Sequence, residues 1–210
     1  MKSRPKDTEK EVKALMEHLS TYPGLTTEFV TQDELLAGIF LQDDSMAKTF
    51  AENPDLMLVD STHKTNRLRM PLFFLVTLDG NGESEVVAAF IVVNEGAEVL
   101  SDMVETFKKF NPSWQSIKVI LTDKDLAERK VFKDHIPQAA LQICLFHVMR
   151  SFRREITAEK MNITQEQRLS ALEIIRNICY ARSEADYQQK YQHLKDSCDS
   201  RIVNYFTNNC

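Results

Sequence analysis

Two aspartates stand where apolar segments of the sequence end, and carboxylates are the ligands that divalent cations prefer. Asp60 closes the apolar run 56–60 (LMLVD), and Asp123 closes the run 119–123 (VILTD). Mg²⁺ takes hard oxygen ligands, and enzymes that transfer phosphoryl groups hold it with such carboxylates. Each segment alone is equally explained by an ordinary strand end before a polar loop or a helix. The pair indicates a cation site only if the fold brings the two ends together.

The elements around the aspartates follow a regular order. Apolar runs predict strands at 56–60, 70–80 and 85–93, and the last two are joined by the strong turn signal DGNG. Helices and strands then alternate: a helix over 96–112, a strand over 116–123, a helix over 125–137, a strand over 139–146 and a helix over 147–156. Three antiparallel strands followed by alternating helices and strands make a mixed α/β sheet with helices on both faces. This is the element order of the ribonuclease H-like fold.

The connection between the strands predicts where the aspartates meet. The right-handed crossover rule places the strand at 116–123 parallel to, and beside, the strand at 56–60. Asp60 and Asp123 then lie at one rim of the sheet and are candidate Mg²⁺ ligands. Two carboxylates are too few for a pair of metal ions, so a third acid should come from a helix at the same rim. Glu155 is the nearest candidate by element order; the alternative is a solvated helix residue.

Cys144 and His147 are soft ligands three residues apart, which is half of a zinc site. His135 and Cys179 could complete it only if the fold gathers them. The alternative is a buried thiol at a strand end beside a hydrogen-bonded histidine. We expect no zinc at this pair, because two ligands leave half of a tetrahedral shell empty.

Composition limits the class of protein. The chain has 210 residues, of which 43% are hydrophobic and 27% charged, as in an ordinary globular protein, and no apolar run is long enough to span a membrane. The N-terminal sequence has no secretory signal, and four dispersed cysteines are typical of reduced thiols inside a cell. A net charge of −5 argues against strong autonomous nucleic-acid binding. The basic clusters are short: Lys64, Arg67 and Arg69, then Arg150, Arg153 and Arg154. The second cluster could meet phosphates, but such a helix is more often a solvated face.

Three segments are predicted. Residues 1–54 form an N-terminal helix, a pair of short strands and a helix over 43–54 that lead into the core. Residues 55–157 form the core itself. Residues 158–210 are wholly helical and read as an insertion or the start of a helical subdomain, with capping boxes predicted at Thr164 with Gln167 and at Ser183 with Asp186.

Two motifs carry a family resemblance. The segment DSTHKTNRLRMPL resembles the motif D-(S/T)-T-x-x-T-N-x-x-x-x-P-L of Mutator-like transposases and their FAR1-like relatives. The segment VILTDKDLAERKVFKDHIPQAALQICLFH resembles the same family's TD-x-D-x-A…P…C-x-x-H segment. Residues 30–157 are also similar to the RNase H-like domain of zinc finger SWIM domain-containing proteins, which descend from such transposases.

The resemblance implies roles for individual residues. Asp60 and Asp123 match the first two acids of a DDE triad, and Cys144 with His147 matches the C-x-x-H pair. Lys64, Asn66 and Arg150 are expected to bind substrate. The family's third acid follows a helical insertion in a T-N-x-x-E-S segment, which has no counterpart before residue 210. The SWIM zinc finger, which binds zinc, is likewise not in this sequence, and His63 replaces the family's aromatic residue.

We therefore expect a domesticated, transposase-derived RNase H-like domain of a nuclear SWIM-type protein. It would lack cleavage activity as it stands, hold at most one weakly bound Mg²⁺ and no other established cofactor, bind DNA weakly, engage protein partners and contact no membrane. One alternative is an active Mg²⁺-dependent transposase or nuclease core with a third acid from Glu155 or elsewhere. Another is a pure protein-interaction scaffold. The sequence leaves the DNA target, the partners, the pathway and the oligomeric state open.

Overall fold

The computed structural model describes residues 14–33, 35–62, 70–123 and 126–209. The chain divides into two compact units, with the boundary between Gln142 and Ile143. The predicted domain boundaries at 54/55 and 157/158 stay predictions.

The first unit is built on a mixed seven-stranded sheet. Its strands are β1 (Leu25–Gln32), β2 (Leu35–Asp43), β3 (Leu56–Thr62), β4 (Leu72–Leu78), β5 (Ser84–Val92), β6 (Val119–Thr122) and β7 (Ala140–Ile143). The order across the sheet is β1-β2-β5-β4-β3-β6-β7, in which β3 and β6 are parallel and the pairs from β1 to β3 are antiparallel. The predicted fold class is confirmed. The predicted strand pair at the N-terminus also joins this same sheet, beside β5.

Helices accompany the sheet and continue after it. In the described part of the chain they are α1 (residues 14–19), α2 (Asp44–Glu52), α3 (Ala97–Phe110), α4 (Leu126–His135), α5 (Leu145–Glu155), α6 (Ala158–Met161), α7 (Gln165–Cys179), α8 (Glu184–Ser197) and α9 (Ser200–Asn209), with a short 3₁₀ turn at Pro112–Ser116. None of the helices described is long and apolar enough to cross a bilayer.

Several element ends differ from the sequence prediction. The predicted strand over 56–60 extends to Thr62, so Asp60 lies inside β3 and not at its end. The predicted strand over 116–123 begins only at Val119, after the 3₁₀ turn. The predicted strand over 139–146 ends at Ile143, and α5 begins at Leu145, two residues before the predicted helix start. A short apolar run such as ICLF has the same pattern in a buried strand and in a first helical turn, so periodicity does not separate them.

One face of the sheet forms the main core. Met57 and Val59 of β3 and Ile120 of β6 are almost fully buried, and they belong to the same cluster as side chains of the helices α2, α3 and α4. Burial of one such side chain stabilises the fold by about 1.5–3 kcal/mol. Since side chains alternate along a strand, residues next to these in β3 and β6 fall on the other face.

A buried amide pair ties β2 to the end of α3. Gln42 and Asn111 are nearly inaccessible, and their side chains exchange hydrogen bonds of 2.9 and 3.1 Å. The remaining amide hydrogens are also used, since Gln42 donates to the carbonyl of Val87 and Asn111 donates to that of Phe107. Two polar side chains are thus accommodated in the core because each satisfies the other.

The second unit is helical and has a core of its own. Phe152, Ile175, Leu194 and Phe206 are among its buried residues. The predicted capping box at Thr164 and Gln167 is confirmed, with both reciprocal hydrogen bonds present. The second predicted box is only half formed. Ser183 caps α8, but the Asp186 carboxylate accepts from the backbone N–H of Arg182 and from Lys190 instead.

Candidate functional site

The register of β3 and β6 aligns the two predicted acids. The parallel strands pair Leu56 with Val119, Met57 with Ile120, and Leu58 with Leu121. Asp60 and Asp123 are separated in sequence by the same interval as each of these pairs, and both lie two residues beyond the last pair. Continued by two residues, this register places Asp60, two residues before the end of β3, level with Asp123, the residue that follows β6.

The face on which they lie follows from burial. Val59 and Thr122, one residue earlier in each strand, are buried, whereas Asp60 is exposed and Asp123 is half-buried. Neighbouring strands lie about 4.8 Å apart, and Mg²⁺ binds oxygens at about 2.1 Å. Two carboxylates at one level can thus share one cation on the water-accessible side.

On its other side Asp60 is bordered by β4. Its partner there is the half-buried Phe74. The substrate-binding candidates Lys64 and Asn66, and the departure at His63, lie outside the described residues.

Arg129 of α4 joins the ends of two strands next to Asp123. Its Nη1 donates to Thr122 Oγ1 at 3.3 Å and to the carbonyl oxygen of Gln142 at 3.2 Å. The fully buried Thr122 hydroxyl donates in turn to the carbonyl oxygen of Asp123 at 3.0 Å. This chain of hydrogen bonds holds the backbone that carries the second acid. Sequence reasoning missed Arg129, whose only signal was a position on the helix directly after LTDKD.

Glu155, the candidate third acid, is engaged by cations at the end of α5. Its Oε2 lies 2.8 Å from Lys160 Nζ, and its Oε1 lies 3.0 Å from Arg154 Nε. Hydrogen bonds from Lys160 and then from Arg154 hold the pKa of this carboxyl below its usual range. To act as a metal ligand, Glu155 would have to exchange these partners, and its role as third acid stays a prediction.

The C-x-x-H pair begins α5. Cys144 is the half-buried N-cap residue of the helix, and the ring of His147 contacts that of Phe146 edge-on at 5.4 Å. Across the described residues, no three or more His, Cys, Asp or Glu side chains gather as a metal-binding group. His135, one proposed zinc partner, instead bonds through Nδ1 to the Glu105 carboxylate at 2.6 Å.

Together these features define an RNase H-like domain with two aligned acids. A family model described as "Zinc finger SWIM domain-containing protein 1/3, RNaseH-like domain" matches residues 16–142, which end where the first compact unit ends. The chain belongs to this family. The resemblance predicted from the motifs is confirmed, although the match runs from 16 to 142 and not from 30 to 157, so the C-x-x-H pair lies outside it.

Curated relatives include a transposase and a FAR1-related protein. The chain is 26% identical over 145 residues to the transposase for insertion sequence element IS1201 of Lactobacillus helveticus, and this alignment covers 65% of the chain and 39% of the transposase. The chain is also 19% identical over 160 residues to Protein FAR1-RELATED SEQUENCE 5 of Arabidopsis thaliana, and this alignment covers 74% of the chain and 20% of that protein. The chain thus spans well under half the length of these relatives. Its core is transposase-derived.

Proposed function

We propose that this chain is a nuclear interaction domain that keeps a two-aspartate cation site of transposase origin and does not, by itself, cleave DNA. The observation that supports the cation site is the alignment of Asp60 and Asp123 at one level of neighbouring parallel strands. The absence of cleavage is proposed because Glu155, the candidate third acid, is bound by Arg154 and Lys160. A nuclear location rests on the family resemblance alone.

The donor set of the site fits one Mg²⁺. Asp60 and Asp123 offer hard, anionic oxygens from one face of the sheet, and both are accessible to solvent at least in part. Bound there, the ion would supply positive charge to a phosphoryl oxygen. Thr122 and Arg129 keep the backbone of Asp123 in place, so the chain itself provides the alignment of the ligands.

Cleavage requires more than this pair. Two-metal phosphoryl transfer stabilises the attacking and the leaving oxygen together, and each ion needs carboxylate ligands. Glu155, the nearest acid by element order, has both oxygens bound to cations of its own unit. The loss of one ion removes several kcal/mol of transition-state stabilisation, which corresponds to roughly three decades in rate.

A nicking assay on supercoiled plasmid tests the absence of cleavage. The chain is incubated with Mg²⁺ or Mn²⁺, beside Asp123→Asn and a matched control, Asp134→Asn. Asp134 is an exposed residue of α4, in the same unit. We expect nicking at the background rate for all three proteins.

Nicking that persists in the control and disappears in Asp123→Asn would overturn the proposal. The second candidate, an active Mg²⁺-dependent core, would then be correct, and it is favoured by the same alignment of acids. Glu155→Gln would be the next variant, because loss of activity there would identify the third acid.

A further inference from the structure

Helix α5 presents an aromatic ring and three arginines along one exposed stripe. We call Phe146, Arg150, Arg153 and Arg154 the α5 ridge. All four side chains are exposed, and Phe146 retains 63% of its accessible surface. An exposed phenylalanine among arginines contributes little to the core of the protein. Contact with a binding partner would explain why the stripe has this composition.

Helical geometry places these residues on one side. A helix has about 3.6 residues per turn, so positions three and four apart lie above one another. Phe146 and Arg150 are four apart, Arg150 and Arg153 are three apart, and Arg154 is adjacent to Arg153. From Phe146 to Arg154 the ridge extends roughly 12 Å along the helix axis.

The opposite side of α5 fixes the orientation of the ridge. Met149, Phe152 and Ile156 are 5%, 1% and 0% exposed and belong to the core of the helical unit. Phe152 also stacks on Phe206 at 5.7 Å. Rotation of the helix to bury the ridge would expose these residues, so the ridge faces solvent as a permanent feature of the unit.

Further cations surround the C-terminal end of the ridge. Arg168 of α7 donates from Nε to the carbonyl oxygen of Ile156 at 2.8 Å and from Nη2 to that of Arg153 at 3.2 Å. Glu155, at the end of α5, is shared between Arg154 and Lys160. Its charge is therefore more than offset, and the end of α5 is positive.

The charge of the whole unit agrees with this local picture. Residues 143–210 contain 10 Lys and Arg against 8 Asp and Glu, a net charge of 10 − 8 = +2. Residues 1–142 contain 16 against 23, a net charge of 16 − 23 = −7. The acidic total of −5 thus conceals a basic helical unit, and the overall charge is a poor guide to what this unit binds.

We propose that the α5 ridge binds single-stranded nucleic acid, which names a partner for the interaction domain proposed above and rests on that function. Arginine guanidinium groups match the geometry of phosphate and contact it bidentately. Aromatic rings beside such a cationic track stack on unpaired bases without regard to sequence. Phe146 and the three arginines combine both features on one rigid helix.

Fluorescence anisotropy with a labelled single-stranded DNA of mixed sequence tests this surface. A triple variant replaces Arg150, Arg153 and Arg154 by glutamine. Its matched control replaces Arg176, Arg182 and Lys195, exposed cations elsewhere in the same unit, so that net charge changes equally. We expect at least about tenfold weaker binding for the ridge variant, and a salt slope lower by about 2, since each lost phosphate contact contributes about 0.7. The control should stay within about twofold of the parent chain.

Phe146→Ala tests the stacking. It should weaken binding of the single strand at least about fivefold and affect a duplex of the same sequence less, because duplex bases are already stacked. Equal losses in the ridge variant and the control, equal effects of Phe146→Ala on both DNAs, or no binding by the parent chain at low salt would each overturn the inference. Circular dichroism verifies folding, and a triple Arg→Lys variant, which keeps the charge but loses the bidentate contacts, should bind with an affinity between those of the parent chain and the glutamine variant.

These outcomes are separate from those of the proposed cation site. Nicking that depends on Asp123 would contradict the non-cleaving function without changing the binding of DNA to α5. Loss of the ridge effect would remove the nucleic-acid partner and leave the Asp60 and Asp123 site intact.

Discussion

The register of β3 and β6 brings Asp60 and Asp123 to the same level of two neighbouring parallel strands. Backbone pairing of β3 with β6 creates this relationship, and the carboxylates themselves add nothing to the core. Asp60 is exposed and Asp123 half-buried. Each can therefore be replaced without opening a cavity, so the site can be dissected by mutation while the fold is kept.

Arg129 is predicted to act as a positioning residue for Asp123. Arg129→Met removes the donor that links Thr122 to Gln142, leaving two oxygens with fewer partners at the ends of β6 and β7. We expect a loss of about 1–2 kcal/mol in the free energy of unfolding and weaker binding of Mn²⁺. Arg129→Lys, which keeps a donor, should restore the affinity for Mn²⁺. Unchanged affinity in Arg129→Met, measured by calorimetric titration, would show that the residue is only structural.

The buried amide pair should behave as a coupled unit. Asn111→Ala leaves Gln42 without its partner in the core, and we expect a loss of about 2–3 kcal/mol in the free energy of unfolding. A double variant with Gln42→Leu should cost less than the sum of the two single changes, since no orphaned amide remains. Additive effects in urea denaturation would indicate that the two side chains act independently.

Glu105 is predicted to contribute to stability only above the acidic range. Hydrogen bonds from Lys108 and then from His135 hold the pKa of its carboxyl below the ordinary value of 4.5. A lowered carboxyl pKa stabilises the folded state above the unfolded-state pKa, and the contribution disappears as pH falls through the folded-state pKa. The residue is half exposed, so the contribution should stay below about 1 kcal/mol.

The corresponding measurement is stability against pH. Glu105→Gln should lower the free energy of unfolding at pH 7 and converge with the parent chain once the pH has fallen below the lowered folded-state pKa of Glu105, where both carry a neutral side chain. Glu173→Gln, an exposed glutamate of α7, serves as the control. A difference between Glu105→Gln and the parent chain that does not shrink as the pH falls below 4.5 would contradict the electrostatic explanation.

The arrangement of the sheet could be predicted from the sequence, because turns follow local signals and strand order follows topological rules. The DGNG turn is one example: the Asp79 carboxylate accepts from the N–H groups of Asn81 and Glu83 at 2.8 Å, and Gly82 adopts a φ of +81°. The crossover rule likewise placed β6 beside β3, and with it the level at which the two acids stand.

Other features depend on contacts that no pattern reveals. The strand pair β1–β2 could be predicted as strands, but its attachment to β5 arises from the pairing of residues such as Phe40 with Phe90. The link from Arg129 to Gln142 joins a helix to a strand end and has no fixed spacing. The arginines of the α5 ridge can be read from the sequence. Their exposure follows from the burial of Met149, Phe152 and Ile156 in the core of the helical unit, which the sequence pattern does not show.

The cation site is tested most directly by titration with Mn²⁺, followed by electron paramagnetic resonance of the free ion. We predict one ion per chain, with affinity at least about tenfold weaker in both Asp60→Asn and Asp123→Asn, because each removes a charged ligand. Asp134→Asn should bind like the parent chain. Binding of equal strength in Asp123→Asn, or no binding by the parent chain at millimolar Mn²⁺, would contradict a shared site at the ends of β3 and β6.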